Sequence, residues 1–307
     1  MPLDPRIELA LGLLPPMDRS GTPAERRARG LGAGPVIPHA ETVPLDEECD
    51  VVVPSAWGGV PVRVYRPHAG TLPGLIWIHG GGWWTGSLDL EDRGCRQRAR
   101  LAGCVIVSID YRLAPEHPFP SALDDCWAVA TWVADNAGEL GIDPARLAIS
   151  GGSAGANLAA AVTLLARDAG GPHFVGQVLE VPATDLTLAA GARSIDECAE
   201  GYFLTKQDLI ECRDFYVGDA DPSDWRISPL LADLHDLPPA LVMTSEYDPV
   251  RDDGEAYAAK LATAGVPVTM RRWDGMVHGS AGLEVVVPEI AAEYNAMVKE
   301  FLDRVFG

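Results

Sequence analysis

The chain lacks paired cysteines of the kind that build a disulfide framework or a zinc site. Its six cysteines are scattered singly through 307 residues, and none belongs to a Cys-x-x-Cys pair. In a chain of this length, such spacing is typical of reduced thiols that are buried one by one. The sequence therefore predicts neither a secreted disulfide scaffold nor a metal centre, and we expect no metal and no cofactor.

Positive charge is scarce, and long apolar runs are missing. The chain has 24 Lys and Arg against 44 Asp and Glu, a formal net charge of -20, which would repel a phosphate backbone. No uninterrupted apolar run approaches the ~20 residues of a membrane helix. Residues 1–14 also make a poor signal peptide, since Glu8 interrupts their apolar stretch. We expect a cytoplasmic protein without nucleic-acid or membrane partners.

What the sequence does contain is a regular alternation of apolar strands and helices from about residue 50 onwards. Its predicted strands are 50–54, 60–65, 75–78, 104–109, 147–150, 175–181, 240–244 and 266–270. The first two flank a Trp-Gly-Gly turn and are expected to pair antiparallel. Helical patterns separate the later strands, so the sequence predicts an α/β protein with a mostly parallel sheet covered on both faces.

Two segments depart from this rhythm. Residues 1–45 begin with a helical pattern, and residues 17–44 are rich in Gly, Pro and Arg with at most one further helix near 23–29. Residues 186–234 contain a predicted helix at 206–217 but no predicted strand, and they interrupt the series before strand 240–244. An insertion there lies at the carboxyl edge of the sheet, where active sites of open α/β sheets form. We expect residues 1–45 and about 186–234 to cap a catalytic domain of residues 46–307.

One stretch combines an apolar strand, a glycine-rich turn and an alanine-rich helix. Its turn is Gly151-Gly152-Ser153-Ala154-Gly155. A tight strand-to-helix turn crowds Cβ atoms, and glycines relieve this crowding and leave the serine exposed beside a helix N-terminus. A chain with 32 glycines can contain this pattern by chance, so a nucleophilic Ser153 needs partners elsewhere.

A serine nucleophile needs a histidine base and an acid that orients it. In this fold class the acid and then the histidine follow the serine, each after a later strand. His278 fits this order, whereas His173 and His235 precede strands. Asp248 follows the strand that begins at Ala240, directly precedes Pro249, and is the preferred acid. Two competitors, Asp252 and Asp253, have a simpler role at the start of a helix.

A tetrahedral intermediate carries a negative oxygen that needs prearranged N–H donors. The candidate is His79-Gly80-Gly81-Gly82-Trp83, which directly follows strand 75–78. Consecutive glycines let several amides point to one place, although a flexible turn or a phosphate-binding loop would also use them. No Gly-Lys-Ser/Thr follows, which disfavours the phosphate-binding alternative.

Five motifs, in order along residues 75–280, resemble the hormone-sensitive-lipase-like branch of the α/β-hydrolases, which includes bacterial carboxylesterases. They are His79 to Trp83, Asp110-Tyr111-Arg112-Leu113-Ala114-Pro115-Glu116-His117-Pro118-Phe119-Pro120, Gly151 to Gly155, Asp248 to Asp252, and His278-Gly279. The second motif is long and very specific. This resemblance implies an α/β-hydrolase fold with a helical cap and an esterase activity.

The resemblance also implies roles for single residues. Ser153 would be the nucleophile, His278 the base and Asp248 its orienting acid, and the oxyanion donors would be the amides of Gly81, Gly82 and Ala154. Supporting residues would be His79, Gly80, Asp110, Tyr111, Glu116, Gly151, Gly152 and Gly155. Here His79 and the loop from Asp110 to Glu116 would brace the oxyanion loop. The substrate would be a small-molecule ester that reacts with water, and relatives often pair through a sheet edge, so a homodimer is possible.

Three positions depart from the pattern of the family. Gly152 stands where members often have an acidic residue, Ala156 replaces a frequent glycine, and Ser280 replaces a frequent phenylalanine. We expect a less rigid serine turn and a reshaped pocket. The predicted reaction is hydrolysis of short- to medium-chain esters. Its alternatives are an amidase, lactonase or deacetylase with the same residues, a lipase for emulsified fat, or a non-catalytic receptor.

Overall fold

The chain's computed structural model describes residues 2–14, 18–30, 43–188 and 192–307. Within these residues the strands are β1 Glu47–Val53, β2 Val60–Arg66, β3 Leu72–Ile78, β4 Val105–Ile109, β5 Ile142–Gly152, β6 Gly176–Glu180, β7 Ala240–Tyr247 and β8 Val268–Val277. The helices are α1 Pro5–Leu13, α2 Pro23–Ala28, α3 Leu88–Ala102, α4 Ser121–Asp135, α5 Ala154–Ala169, α6 Arg193–Glu197, α7 Lys206–Val217, α8 Arg251–Thr263 and α9 Pro288–Phe306.

The strands form one sheet in the order β1-β2-β4-β3-β5-β6-β7-β8. Pairs β1/β2 and β2/β4 are antiparallel, and all later pairs are parallel. Strands β4 and β6 are buried at every residue, as expected for apolar strands covered on two sides. The predicted α/β class with a mostly parallel sheet is confirmed.

Helices cover both faces of this sheet and form two cores. One core lies between the sheet and α4, α5 and α8, and it contains the alanine-rich face of α5. The other lies between the sheet and α1, α3 and α9, where Ile7, Cys95 and Phe301 are buried. Among the described helices, none combines the length and the apolar composition that a membrane crossing requires.

Strand β8 is longer than the sequence predicts. The expected end near Met270 is wrong, because β8 continues to Val277 and pairs with β7 through Tyr247. Arg271 and Arg272 interrupt the apolar pattern, but they are exposed on a strand that ends the sheet. A terminal strand tolerates charged side chains, which the apolar pattern alone does not anticipate. This extension places His278 directly after the strand.

The described parts of the predicted cap contact each other. Arg26 of α2 is buried and donates to both carboxylate oxygens of Glu211 on α7, at 2.7 and 2.9 Å. The predicted cap range 1–45 also includes residues 1, 15–17 and 31–42, and the insertion includes 189–191. These residues lie outside the described part of the chain. The division into a cap and a catalytic domain therefore stays a prediction.

Candidate active site

Ser153 occupies the single position between β5 and α5. Its backbone has φ 54° and ψ -116°, a region that non-glycine residues rarely adopt. The Ser153 N–H donates to the carbonyl of Glu180 at 2.7 Å, and the Ser153 carbonyl accepts from Asn157 at 3.1 Å. Such a conformation costs about 1–3 kcal/mol and persists where neighbouring bonds fix it. The turn thus presents the serine at the carboxyl edge of the sheet.

The three glycines of this turn differ in the space around them. A Cβ on Gly155 would lie 2.0 Å from the carbonyl oxygen of Ile78, and one on Gly151 would lie 2.3 Å from that of Gly155. By contrast, the nearest atom to a Cβ on Gly152 is the tip of the Trp77 ring, at 3.8 Å. Gly151 and Gly155 are therefore sterically required, whereas Gly152 has room for a side chain.

His278 and Asp248 lie beside this serine. The Nε2 atom of His278 is 2.9 Å from Ser153 Oγ, and its Nδ1 atom is 2.8 Å from Asp248 Oδ2. Asp248 is fully buried, and its other oxygen accepts the N–H of Val250 at 3.0 Å. Because a carboxylate only accepts hydrogen bonds, the imidazole proton belongs on Nδ1, which leaves Nε2 free to accept from the serine hydroxyl.

The competing residues are engaged elsewhere. The two carboxylate oxygens of Asp252 accept the N–H of Ser194 at 3.0 Å and Arg251 Nε at 2.9 Å. Asp253 is buried, and burial together with the negative charge of Asp185 raises the pKa of its carboxyl well above the ordinary value. His235 is exposed and bonded to Asp233. The structure brings Asp248, not these residues, to the serine.

The glycine loop after β3 runs against the serine turn. A Cβ on Gly80 would lie 3.0 Å from the carbonyl oxygen of Gly152. Gly81 has φ +107° and Gly82 has φ +59°, and a Cβ on either would lie within 2.4 Å of another atom, in Thr85 or Cys212 respectively. The backbone of this loop therefore depends on glycine. Ala154, which directly follows Ser153, is the first residue of α5 and is buried.

His79 is buried at the start of this loop. Its Nδ1 atom donates to the carbonyl of Gly80 at 2.7 Å, and its ring stacks on Tyr111 with centroids 4.1 Å apart. The Tyr111 hydroxyl in turn donates to the carbonyl of His79 at 3.1 Å. Burial lowers the pKa of His79 to about 4, so this imidazole is neutral at pH 7. These contacts fix the position of the loop from His79 to Trp83.

The loop after β4 supplies further contacts, one of them through a residue that the sequence motifs did not identify. The N–H of Ala114 donates to the carbonyl of Trp83 at 2.9 Å. Arg27 of α2 donates to the carbonyl of Trp84 at 2.9 Å and also binds the Glu116 carboxylate. No sequence pattern links Arg27 to Glu116, because 89 residues separate them.

Asp110 and Ser280 have more local roles. The N–H of Asp110 donates to the carbonyl of Pro61 in β2 at 3.0 Å, and burial raises the pKa of the Asp110 carboxyl. Ser280 Oγ donates to the carbonyl of Val277 at 2.9 Å and accepts its N–H at 3.0 Å. Ser280 thus closes the turn that carries His278. Within the described residues, no group of His, Cys, Asp or Glu is arranged to hold a metal ion.

This fold and site define an α/β-hydrolase, and comparisons with known proteins agree. A family model of the alpha/beta hydrolase fold matches residues 75–281. Carboxylesterase NlhH of Mycobacterium tuberculosis is 45% identical over 241 residues, 76% of this chain and 74% of that protein. Ethyl acetate hydrolase of Pseudomonas putida is 37% identical over 257 residues, 80% of this chain and 78% of that protein.

Solved structures show the same likeness over the whole length. A hyperthermophilic esterase from the archaeon Pyrobaculum calidifontis superposes with a TM-score of 0.86 at 37% identity, covering 100% of this chain and 98% of that one. The chain belongs to the hormone-sensitive-lipase-like branch of the α/β-hydrolase family. The resemblance that its sequence motifs carry is confirmed.

Proposed function

We propose that this chain hydrolyses short- to medium-chain carboxylic esters through an acyl-enzyme intermediate on Ser153. The chain is a carboxylic ester hydrolase by its family and its relatives. The preference for short chains is supported by a relative whose name specifies ethyl acetate, a substrate with a two-carbon acyl group. A small-molecule ester and water are the reactants, and the chemistry needs no metal or organic cofactor.

The mechanism follows from the geometry of the three side chains. Ser153 Oγ attacks the ester carbonyl while Nε2 of His278 takes its proton, and Asp248 keeps the proton on Nδ1 and stabilises the imidazolium. The amides of Gly81, Gly82 and Ala154 donate to the oxygen that becomes negative. The intermediate collapses, and His278 gives its proton to the departing alcohol. Water then attacks the acyl group with His278 again as base, which releases the acid and restores Ser153.

One observation carries this proposal. His278 joins Ser153 and Asp248 in a continuous row with spacings of 2.9 and 2.8 Å, although the serine and the histidine are 125 residues apart in the chain. Both distances lie within hydrogen-bond reach, which an activated serine requires. The row combines a nucleophile, a base and an acid on the carboxyl ends of β5, β7 and β8.

A fluorophosphonate probe tests the proposed nucleophile, because it forms a stable adduct with an activated serine. We expect one adduct per chain, and peptide mass spectrometry should locate it on Ser153. A non-catalytic receptor on this fold would give no rapid adduct, and an adduct at another residue would contradict the assignment.

Two kinetic comparisons define the substrate class. In a series of p-nitrophenyl esters, kcat/KM should be highest for acyl chains of C4 to C8. The hydrolysis rate should not increase abruptly when the substrate concentration exceeds its solubility limit. A peak at longer chains with such a rise would show a lipase instead. Matched esters, amides and lactones should show the highest kcat/KM for the ester; a higher value for either other class would reassign the leaving group.

We also propose that the chain works in the cytoplasm as a homodimer, without nucleic-acid or membrane partners. The net charge of -20 supports the absence of a nucleic-acid partner, and six free cysteines suit a reducing compartment. The terminal strand β8, whose Met270 is 40% exposed, is the surface for pairing. Sedimentation of the wild type and of Met270→Glu tests the dimer: a monomeric wild type, or a variant that dimerises equally well, would contradict it.

A further inference from the structure

Glu180 lies next to the serine turn and fixes its backbone. It ends β6, where it pairs with Gly152 of β5, and its carbonyl accepts the N–H of Ser153 at 2.7 Å. The residue after it, Val181, has φ +43°, which is rare for a β-branched residue. Ser153 and Val181, both with positive φ, thus lie next to Glu180. Because the Glu180 carbonyl holds the Ser153 N–H, a movement of the Glu180 backbone would also move Ser153.

A charged cluster holds the Glu180 side chain. Arg98 of α3 donates from Nη2 to both carboxylate oxygens, at 2.8 Å each. The guanidinium of Arg98 also stacks on the Trp77 ring, 3.9 Å from its centroid, and Trp77 Nε1 donates to Glu91 at 3.0 Å. Glu180 is only 8% exposed. A carboxylate buried to this degree needs such a partner, and removing either member of the pair leaves an uncompensated charge.

Trp77, a member of this cluster, also borders the space beside Gly152. A Cβ on Gly152 would lie 3.8 Å from the tip of the Trp77 ring on which Arg98 stacks. Adjacent strands lie about 4.7–4.9 Å apart. Gly152 of β5 and Glu180 of β6 are direct partners in adjacent strands. A carboxylate at position 152 would therefore lie beside that of Glu180 and would compete with it for Arg98.

We propose that Glu180, held by Arg98, is a positioning residue that fixes the strained backbone of Ser153, and that it does so in place of an acidic side chain at position 152. The acid that anchors the serine turn is thus carried by β6 rather than β5. This inference rests on the proposed role of Ser153 as the nucleophile.

Glu180→Gln tests the proposal, because it removes the charge but keeps the shape of the side chain. We expect kcat for p-nitrophenyl butyrate to fall about tenfold, with KM within about twofold, because a displaced nucleophile affects the reaction more than binding. The rate of fluorophosphonate labelling should fall by the same factor. Asp92→Asn is the matched control: it removes an ion pair with Arg96 on the same helix, 2.7 Å long, and should leave kcat unchanged.

The double variant Gly152→Asp with Glu180→Gln tests whether the acid can return to β5. We expect its kcat to come within about threefold of the wild type, because Asp at 152 again offers Arg98 a carboxylate. Gly152→Asp alone should lower the melting temperature, since it places two carboxylates side by side. A purely structural role for Glu180 would instead make kcat per folded molecule independent of these changes.

Three results would overturn the proposal: a folded Glu180→Gln variant with wild-type kcat, a double variant no more active than Glu180→Gln, or a kcat loss of the same size in Asp92→Asn. If Glu180→Gln does not fold, the double variant decides, because a folded and active protein supports the exchange and an unfolded one contradicts it. Ser153→Ala distinguishes failure of the proposed function from failure of the positioning role of Glu180. If Ser153→Ala stays active, the proposed function is wrong. If it is inactive, the Glu180 variants test only the positioning role.

Discussion

The Oδ2 atom of Asp248 lies 2.8 Å from Nδ1 of His278, across the ends of two neighbouring strands. Strands β7 and β8 run parallel, so their carboxyl ends meet at one edge of the sheet and bring together residues 30 positions apart. Asp248 is fully buried, and its bond to Nδ1 fixes the orientation of the imidazole. Its consequence is a fixed tautomer, with Nε2 left to accept from Ser153.

Replacing Asp248 with asparagine should lower kcat for p-nitrophenyl butyrate by about 10⁴-fold, because an amide no longer selects the Nδ1–H tautomer or stabilises the imidazolium. Asp252→Asn is the control, since Asp252 bonds Arg251 at 2.9 Å rather than His278. It should change kcat by less than about threefold. A larger loss of kcat in Asp252→Asn than in Asp248→Asn would show that Asp252 is the acid that orients His278.

The glycines of the serine turn should respond unequally to alanine. Gly155→Ala should lower the free energy of unfolding by about 3 kcal/mol or more, because its Cβ would lie 2.0 Å from a backbone oxygen of β3. Gly152→Ala should cost less than about 1 kcal/mol, because its nearest neighbour is 3.8 Å away. Denaturant unfolding followed by circular dichroism measures both, and equal losses would show that crowding does not distinguish them.

Acid should destabilise the protein through His79. Burial lowers the pKa of this imidazole to about 4 in the folded state, against about 6.5 in the unfolded chain. Between these values only the unfolded chain takes up the proton, so the free energy of unfolding falls as the pH drops from 6.5 towards 4. The full loss is about 3 kcal/mol, and above about pH 7 this histidine contributes no pH dependence.

His79→Asn isolates this contribution from that of the carboxyl groups, which titrate in both proteins. Urea unfolding of wild type and variant at pH 7.0, 5.5 and 4.5 should show a steeper loss in the wild type, although the variant is less stable at pH 7.0. Parallel pH profiles would mean that His79 titrates alike in the folded and unfolded chains.

Much of the fold follows from local pattern. The apolar runs of β3, β4 and β6 are continuous because both sheet faces are covered, so their order with the helices is enough to predict the class. The full length of strand β8 is harder to predict. Arg271 and Arg272 are exposed on this terminal strand and interrupt the apolar pattern before the strand ends. The positions of Ser153, Asp248 and His278 could be predicted, since their order along the chain matches the order of the strands that carry them.

Contacts between distant segments could not be predicted in this way. Arg98 and Glu180 are 82 residues apart, and they pair because the tertiary structure brings the Arg98 side chain of α3 to the end of β6. Arg27 reaches Glu116 only because α2 packs beside the loop that carries Trp84. Each of these residues is an ordinary surface charge in the sequence, and its role appears only when tertiary packing places it.

Hydrolysis of p-nitrophenyl butyrate by Ser153→Ala, purified free of host esterases and compared with Ser108→Ala, decides whether Ser153 is the nucleophile. Ser108 is a buried serine of β4 and serves as the matched control. We expect Ser153→Ala to fold normally and to lose kcat by about 10⁴-fold or more, with Ser108→Ala close to the wild type. Hydrolysis by Ser153→Ala at the wild-type rate would show that Ser153 is not the nucleophile.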